Sequence, residues 1–388
     1  MTNIRSNLWK IYAYKLLGEF WMIVPILIPY YQSNSLNKTQ IFTIQAAYAL
    51  SILVMEIPSG YLADIVGRRK TLIIGAVFMP LGIGVYAFTH SFTSFLIAEF
   101  IIAIGNSMRS GCDSALVYDT LIQLRKEYEY KKFEGRSFYY ARIGTSFSSI
   151  LGGLLALLSL KVPFYANMAT SALMLPLGMA LIEPMRQKLE TASPLRDILK
   201  INRYCFTHPR IRWLMLFGAL VQSTGITGVW AYFLYYESIG ISIGFFGLIF
   251  AAWQLSSAFG SRYAHSLENK IGKKRSLFLP LLIAPCFLLL GTLKTFLLIP
   301  LVFLNAFLWG FVFPLLLDYV NRLIKSDVRA TALSVFNMTG SLSIVLVLPI
   351  FGKLVDALSL STAFIIMGIY FIVYGGIASF KVTQGLTD

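Results

Sequence analysis

The sequence predicts an all-α membrane protein, with twelve transmembrane helices in two pseudo-symmetric six-helix bundles. Three observations predict it: an apolar composition, a regular succession of apolar runs, and a motif that recurs 205 residues further on. Of 388 residues, 57% are hydrophobic and 13% charged, with a mean hydropathy of +0.69. An average soluble domain carries about 25% charged residues. A bilayer core about 30 Å thick takes about 20 apolar residues per helix, which leaves room here for about a dozen.

The runs fall in order along the chain, bounded by Gly, Pro or charge. The first, 10–31, carries Lys15, Glu19 and Trp21 and is too long for a cleaved leader. The second, 41–63, holds Glu56 and ends against Asp64; the third, 71–89, starts after Gly67, Arg68 and Arg69. The fourth, 93–117, contains Glu99, Asn106, Arg109 and Asp113; the fifth, 137–159, contains Arg142; the sixth is 163–183. A polar stretch with Pro184, Pro194 and Pro209 then reads as a linker, giving an N-terminal bundle 1–183, a cytoplasmic linker 184–210 and a C-terminal bundle 211–388. The second six runs are 211–236, 242–261, 276–293, 296–319, 329–351 and 361–380.

Charge sets the orientation. With the N-terminus inside, 27 of the 33 Lys and Arg fall on the cytoplasmic side and four (Lys38, Lys161, Lys294, Lys353) outside; Arg109 and Arg142 lie within runs. This is a positive-inside pattern, so the reading is a multi-pass protein of the cytoplasmic (inner) membrane with both termini cytoplasmic. The net charge of +15 then belongs to topology and to attraction for anionic membrane lipid, and no nucleic-acid partner is expected. Cys112, Cys205 and Cys286 are scattered, so no disulfide or metal cluster is expected. No phosphate loop and no His or Ser catalytic motif occurs, so the chain is read as no enzyme, with no cofactor and no ATP-driven step.

The repeat is internal. Gly67 and Gly272 are 205 residues apart, as are Gly105 and Gly310, and Asp113 and Asp318; Arg136 and Arg329 each open the following run. Parallel six-helix repeats with a solute site between them are a known transporter plan. "GYLADIVGRRKTL", residues 60–72, resembles the loop between the second and third helices of the major facilitator superfamily, Gly-x-Leu-Ala-Asp-Arg/Lys-x-Gly-Arg-Arg/Lys. Gly60, Leu62, Ala63, Asp64, Gly67, Arg68 and Arg69 match, and Ile65 departs. "MEIPSGYLAD", "SGCDSALVYD" and "NRLIKSDVRATALS" resemble a bacterial branch of that superfamily. The resemblance implies alternating access between two halves, with this loop as an ionic latch of the outward-open state. A positive-inside anchor is the simpler alternative.

Charges inside spans are costly and mark functional positions. Lys15 with Glu19, and Arg109 with Asp113, are spaced i,i+4 and so are expected to neutralise each other along one helix face. At 1.5 Å per residue, Lys15, Glu19, Glu56, Arg109, Asp113, Arg142 and Asp318 all lie toward the cytoplasmic side. Gly60, Asp64, Gly67, Arg68, Arg69, Asp113, Arg142 and Asp318 are the gate candidates, either as sealing pairs or as part of proton coupling. Glu99 lies about 9 Å deep from the outer side, where many drug exporters of the superfamily carry Arg. With Glu19 and Glu56 it is one of three candidate protonation sites. In the fifth run, "GTSFSSILGG" keeps three glycines of an exporter motif, an arrangement that close helix packing explains equally.

Near the middle of the runs the polar groups are mostly uncharged. Trp21, Asn106, Arg109, Gln222, Trp230, Trp253, Gln254, Asn305, Trp309 and Asn337 are the cavity candidates, suited to an amphiphilic or hydrogen-bonding organic solute; interhelical bonding is the alternative role. The expected function is a monomeric secondary transporter exporting a small organic compound, drug-like or a siderophore, in exchange for protons. Proton-coupled uptake and a non-transporting sensor are the alternatives.

Overall fold

The structure, a computed structural model, describes residues 4–185, 204–324 and 329–385. Most of the linker and part of "NRLIKSDVRATALS" lie outside the described residues, as does the Arg329 side chain. Every regular element among the described residues is helical, as a chain of apolar runs without backbone partners in lipid requires.

The helices are α1 (Ser6–Gly18), α2 (Leu27–Ser33), α3 (Lys38–Val66), α4 (Arg68–Phe88), α5 (Phe92–Arg109), α6 (Cys112–Gln123), α7 (Tyr130–Ala156), α8 (Val162–Ala172) and α9 (Met174–Ala180). After the linker come α10 (Pro209–Ser238), α11 (Phe246–Ile271), α12 (Lys273–Phe278), α13 (Ile283–Thr292), α14 (Ile299–Leu323), α15 (Arg329–Ala357) and α16 (Leu360–Gly385).

Seven helical segments among the described residues are long and apolar enough to cross a membrane, and eight when the bent pair Lys38–Glu56 and Pro58–Val66 is taken as one span. The expected twelve is therefore not confirmed. The four others have physical reasons to fall short. The first run breaks between α1 and α2 at Glu19–Ile23. The fourth carries Glu99 and Arg109 and stops at Gly111, whose φ is 71°. The fifth, α7, begins with a charged turn, and the sixth breaks at Leu173. In α3 the 43° bend falls beside Pro58, which removes a hydrogen bond from the helix ladder.

Two compact units divide the chain. The first comprises Met1–Leu36, Ala47–Glu190 and Ser242–Ala251; the second comprises Asn37–Ala46, Thr191–Ile241 and Ala252–Asp388. The ten-residue segments exchanged between the sequence halves stand 205 residues apart, the offset of the glycine repeat. Gly67 and Gly272 behave alike as well: each caps the helix that follows, with φ of 110° and 86°, conformations that favour glycine.

In the first unit, Ile11, Tyr14, Leu72, Ala76, Leu116 and Leu121 form a buried core. The glycines of "GTSFSSILGG" are packing positions there. A Cβ on Gly152 would fall on the Met22 carbonyl oxygen, and one on Gly153 would lie 2.9 Å from the Gly244 carbonyl oxygen. In the second unit, rings of Tyr232, Phe287 and Phe364 stack with centroids 5.9 to 6.5 Å apart.

Candidate transport site

The first unit gathers its charges into three groups. α1 ends at Gly18, so Glu19 leaves the helical face that holds Lys15. The expected Lys15–Glu19 pair is thus replaced. Lys15 Nζ donates to both Glu134 carboxylate oxygens and to Ser114 Oγ at 2.9 Å, with Asp113 3.9 Å away. Glu19 instead accepts from Arg109 Nη2 at 2.7 Å, and Asn106 Oδ1 lies 3.3 Å from the same nitrogen. The expected Arg109–Asp113 pairing is replaced too, because the chain turns at Ser110 and Gly111 between α5 and α6. Asn106 continues the second group by donating to Tyr48 at 2.9 Å. A buried guanidinium is tolerable only with such partners.

The third group holds the loop after α3. Arg68 pairs with Asp119 and donates to the Ala115 carbonyl, while Arg69 donates to the Met179 carbonyl at 2.6 Å. Glu183 accepts from the Arg68 and Arg69 amides at 2.9 and 2.7 Å, capping the start of α4. A carboxylate there answers both the unpaired N–H groups and the helix dipole. Gly60 has open space around it; Asp64 is exposed and makes no ion pair among the described residues. Arg142 lies over the Phe138 ring at 4.9 Å. Asp318, in the second unit, pairs with Arg322 at 2.8 Å on its own exposed helix face, unlike the buried Asp113 of the repeat.

Among the acids considered for protonation, Glu99 is 5% exposed. Its Oε1 accepts from Tyr86 at 2.7 Å and from Tyr31 at 3.4 Å, and the two tyrosine hydroxyls are 2.6 Å apart. Glu56 is exposed, beside the bend of α3.

The second unit contains a narrow cavity of about 10 Å³, room for about one water molecule. Thr224, Gly225 and Tyr232 of α10, Trp253 of α11, Ile283 and Phe287 of α13, and Asn305 and Trp309 of α14 line it. Trp253 and Trp309 lie with ring centroids 5.7 Å apart. Asn305 Nδ2 donates to Tyr232 at 2.7 Å, whereas Asn305 Oδ1 and Trp309 Nε1 are buried with no hydrogen-bond partner among the described residues. Gln222 Nε2 and Thr227 Oγ1, on either side of Gly225, are in the same condition. The pocket therefore joins three of the sequence candidates, Trp253, Asn305 and Trp309. Gln222 lies against Gly340 of α15, and Trp230, Gln254 and Asn337 lie outside the pocket lining. Trp21, Asn106 and Arg109 belong to the first unit.

Sequence reasoning missed Tyr232, Phe287, Glu134 and Glu183. The aromatics carry no signal in a chain this apolar. The two acids stand in polar stretches, and the visible sign was only that each follows or precedes a cluster of cations.

The described residues form long apolar helices whose buried charges pair between elements, the build of a multi-pass membrane protein. The Major Facilitator Superfamily model matches residues 17–347, with a second match over 213–385. The chain belongs to the Major Facilitator Superfamily.

The quinolone resistance protein NorA of Staphylococcus aureus (strain MRSA252) is 25% identical over 240 residues, covering 59% of this chain and 60% of that protein. The chain thus matches under two thirds of that relative's length. An MFS-type transporter of Methanocaldococcus jannaschii, MJ1560, is 25% identical over 144 residues, covering 37% of this chain and 36% of that protein. Among solved structures, a mutant of the nucleoside transporter NupG superposes with a TM-score of 0.82 at 15% identity, covering 98% of this chain and 99% of that one. A POT family transporter in complex with 5-aminolevulinic acid gives 0.74 at 15% identity, with coverage of 97% and 96%. These likenesses concern the fold.

Proposed function

We propose that this chain exports a small hydrogen-bonding organic solute, drug-like or a siderophore, from the cytoplasm by alternating access, in exchange for protons. The observation that carries the solute class is the pocket of the second unit. Its walls are aromatic, and its two buried orphan atoms are a donor, Trp309 Nε1, and an acceptor, Asn305 Oδ1. Each orphan costs about 1–3 kcal/mol, which a water, or a solute presenting the complementary atom in its place, offsets. The cavity holds about one water as it stands, so an uncharged or amphiphilic ring system reaches both atoms once the aromatic walls part in the transport cycle. The similarity to NorA, a quinolone resistance protein, supports export.

Glu99 is the proton site the geometry favours over Glu19 and Glu56. It is buried, and two tyrosine hydroxyls that can donate or accept adjoin it; Glu19 is committed to Arg109 and Glu56 is exposed. The Arg68–Asp119 pair and the Glu183 cap lie within the first unit and hold the loop to its own bundle, so the latch reading of residues 60–69 rests on the family resemblance.

The test is purified protein in liposomes enclosing a pH-sensitive dye, with an imposed proton gradient and a panel of solutes from drugs to hydroxycarboxylate siderophores. Export requires proton movement opposite in direction to the solute; movement in the same direction establishes uptake. Glu99→Gln is expected to abolish proton-linked flux while leaving solute counterflow. Flux that remains proton-driven in that variant removes Glu99 from the proposal.

A further inference from the structure

Asn37–Ala46 belong to the second unit, although the remainder of α3 belongs to the first. A particular contact holds them. Asp356, in the last turn of α15, accepts through Oδ1 from the Lys38 amide at 3.0 Å. Its Oδ2 accepts from the Thr39 amide at 2.7 Å and from the Thr39 hydroxyl at 2.6 Å. One turn further, the Phe42 and Phe351 rings lie 5.1 Å apart. Gly352 brings the two backbones so close that a Cβ there would stand 2.7 Å from the Lys38 carbonyl oxygen.

The carboxylate is not needed to start the helix. Asn37 and Gln40 already exchange reciprocal capping bonds, Gln40 amide to Asn37 Oδ1 at 2.8 Å and Asn37 amide to Gln40 Oε1 at 3.1 Å. What Asp356 adds is attachment: three charge-assisted bonds, on a helix N-terminus whose dipole favours an anion, between residues more than 300 positions apart in sequence. The counterpart segment, Ser242–Ala251, is held differently. There a Cβ on Gly247 would fall on the Ser149 carbonyl oxygen, a seam of backbone against backbone. Gly352 makes a similar backbone seam against Lys38, but the Asp356 contact beside it is exposed, so water can take over both partners as it parts.

We propose that Asp356 is a reversible clasp, at the end of α3 remote from Gly67, that docks Asn37–Ala46 on the second unit in one conformation of the transport cycle and releases them in another. The proposal goes beyond the export reading, because it concerns the motion and not the solute.

The experiment uses the full chain in liposomes with Cys112, Cys205 and Cys286 replaced by Ala, and spin labels at Gln40→Cys and Lys353→Cys. With Asp356 intact, the short interlabel distance dominates. Asp356→Ala is expected to raise the population of longer distances about tenfold, and Asp356→Asn, which keeps one acceptor oxygen and the residue's size, by less. Identical distance distributions in the intact chain and in the variants that fold overturn the clasp. In a second arm, Thr39→Cys and Asp356→Cys are joined by a short bifunctional thiosulfonate. The bridged chain is expected to lose flux of the solute found in the proton assay and to regain it on reduction; flux at the unbridged rate overturns the need for release. Should that assay find no solute, the distance measurement still decides on the clasp, so the two readings fail separately.

Discussion

Glu19 and Arg109 form a pair whose members are worth more together than apart. The Arg109 side chain is 14% exposed and its bond to Glu19 is 2.7 Å. Removing one partner strands a charge out of water, at a cost of about 3–5 kcal/mol, whereas replacing both by apolar groups of similar volume is close to neutral. Glu19→Leu and Arg109→Met are each expected to lower the thermal unfolding midpoint in detergent, and the double variant to lie well above the sum of the two. Additive losses would show that the ion pair is incidental to stability. A second residue contrast concerns the repeated glycines. Ala at either Gly67 or Gly272 meets a positive φ with ψ about 150°, a conformation essentially confined to glycine, at about 1–3 kcal/mol. At Gly67 alone the new methyl would also stand 3.2 Å from the Glu183 carboxylate that caps α4, while Gly272 has open space. Gly67→Ala is therefore expected to unfold at lower temperature than Gly272→Ala.

At the scale of elements, the α7 seam decides whether the first unit holds together. A Cβ on Gly247 meets carbonyl backbone of α7, which has no flexible end to move aside. Gly247→Ala is expected to cut the yield of monodisperse protein sharply. Gly135, in the same α7 with nothing within 4 Å, is the control; there Ala should be neutral or stabilising by up to about 1 kcal/mol, as helix propensity dictates. Equal yields from the two variants would remove the seam from the account. Elements were also where the sequence was most and least legible. Gly67 and Gly272 were readable as helix breaks because a glycine beside a cation cluster has few other uses. The break at Glu19–Ile23 was not, since it lies inside a run whose hydropathy stays high while the backbone turns, nor was the interruption at Leu173, where the dihedrals stay helical at −65° and −15°. Spacing of i,i+4 predicted the Lys15 and Arg109 pairs wrongly for the same reason: the rule assumes a continuous helix, and α1 and α5 each end inside the interval. In the pocket, Trp253, Asn305 and Trp309 were visible as polar or amphipathic groups at mid-span, whereas Tyr232 and Phe287 look like any other ring in a chain that is 15% aromatic. Asp356 carried no signal at all, because its partners are two backbone amides and a threonine hydroxyl more than 300 residues away.

For the whole molecule, the exchange of Asn37–Ala46 and Ser242–Ala251 changes what a half of this chain is. A duplication read from sequence suggests two self-sufficient six-helix pieces. The compact units do not coincide with those pieces, since each takes ten residues from the other half of the sequence. A first half expressed alone, ending within the linker, lacks the segment that covers Gly153; a second half alone lacks the segment whose Phe42 packs on Phe351. Each would expose surface shaped for protein backbone, in a solvent of lipid that offers close packing no substitute. Expressed separately, the halves are expected to aggregate in detergent; co-expressed with a tag on one, they should co-purify and regain the flux of the intact chain. The segments themselves supply the control. Gly247→Ala in the second half should abolish co-purification by blocking the seam on α7, while Asp356→Ala should weaken it only partly, because Phe42 and Gly352 still make contact once the carboxylate is gone. Stable, monodisperse halves that ignore each other would mean that the two exchanged segments are passengers.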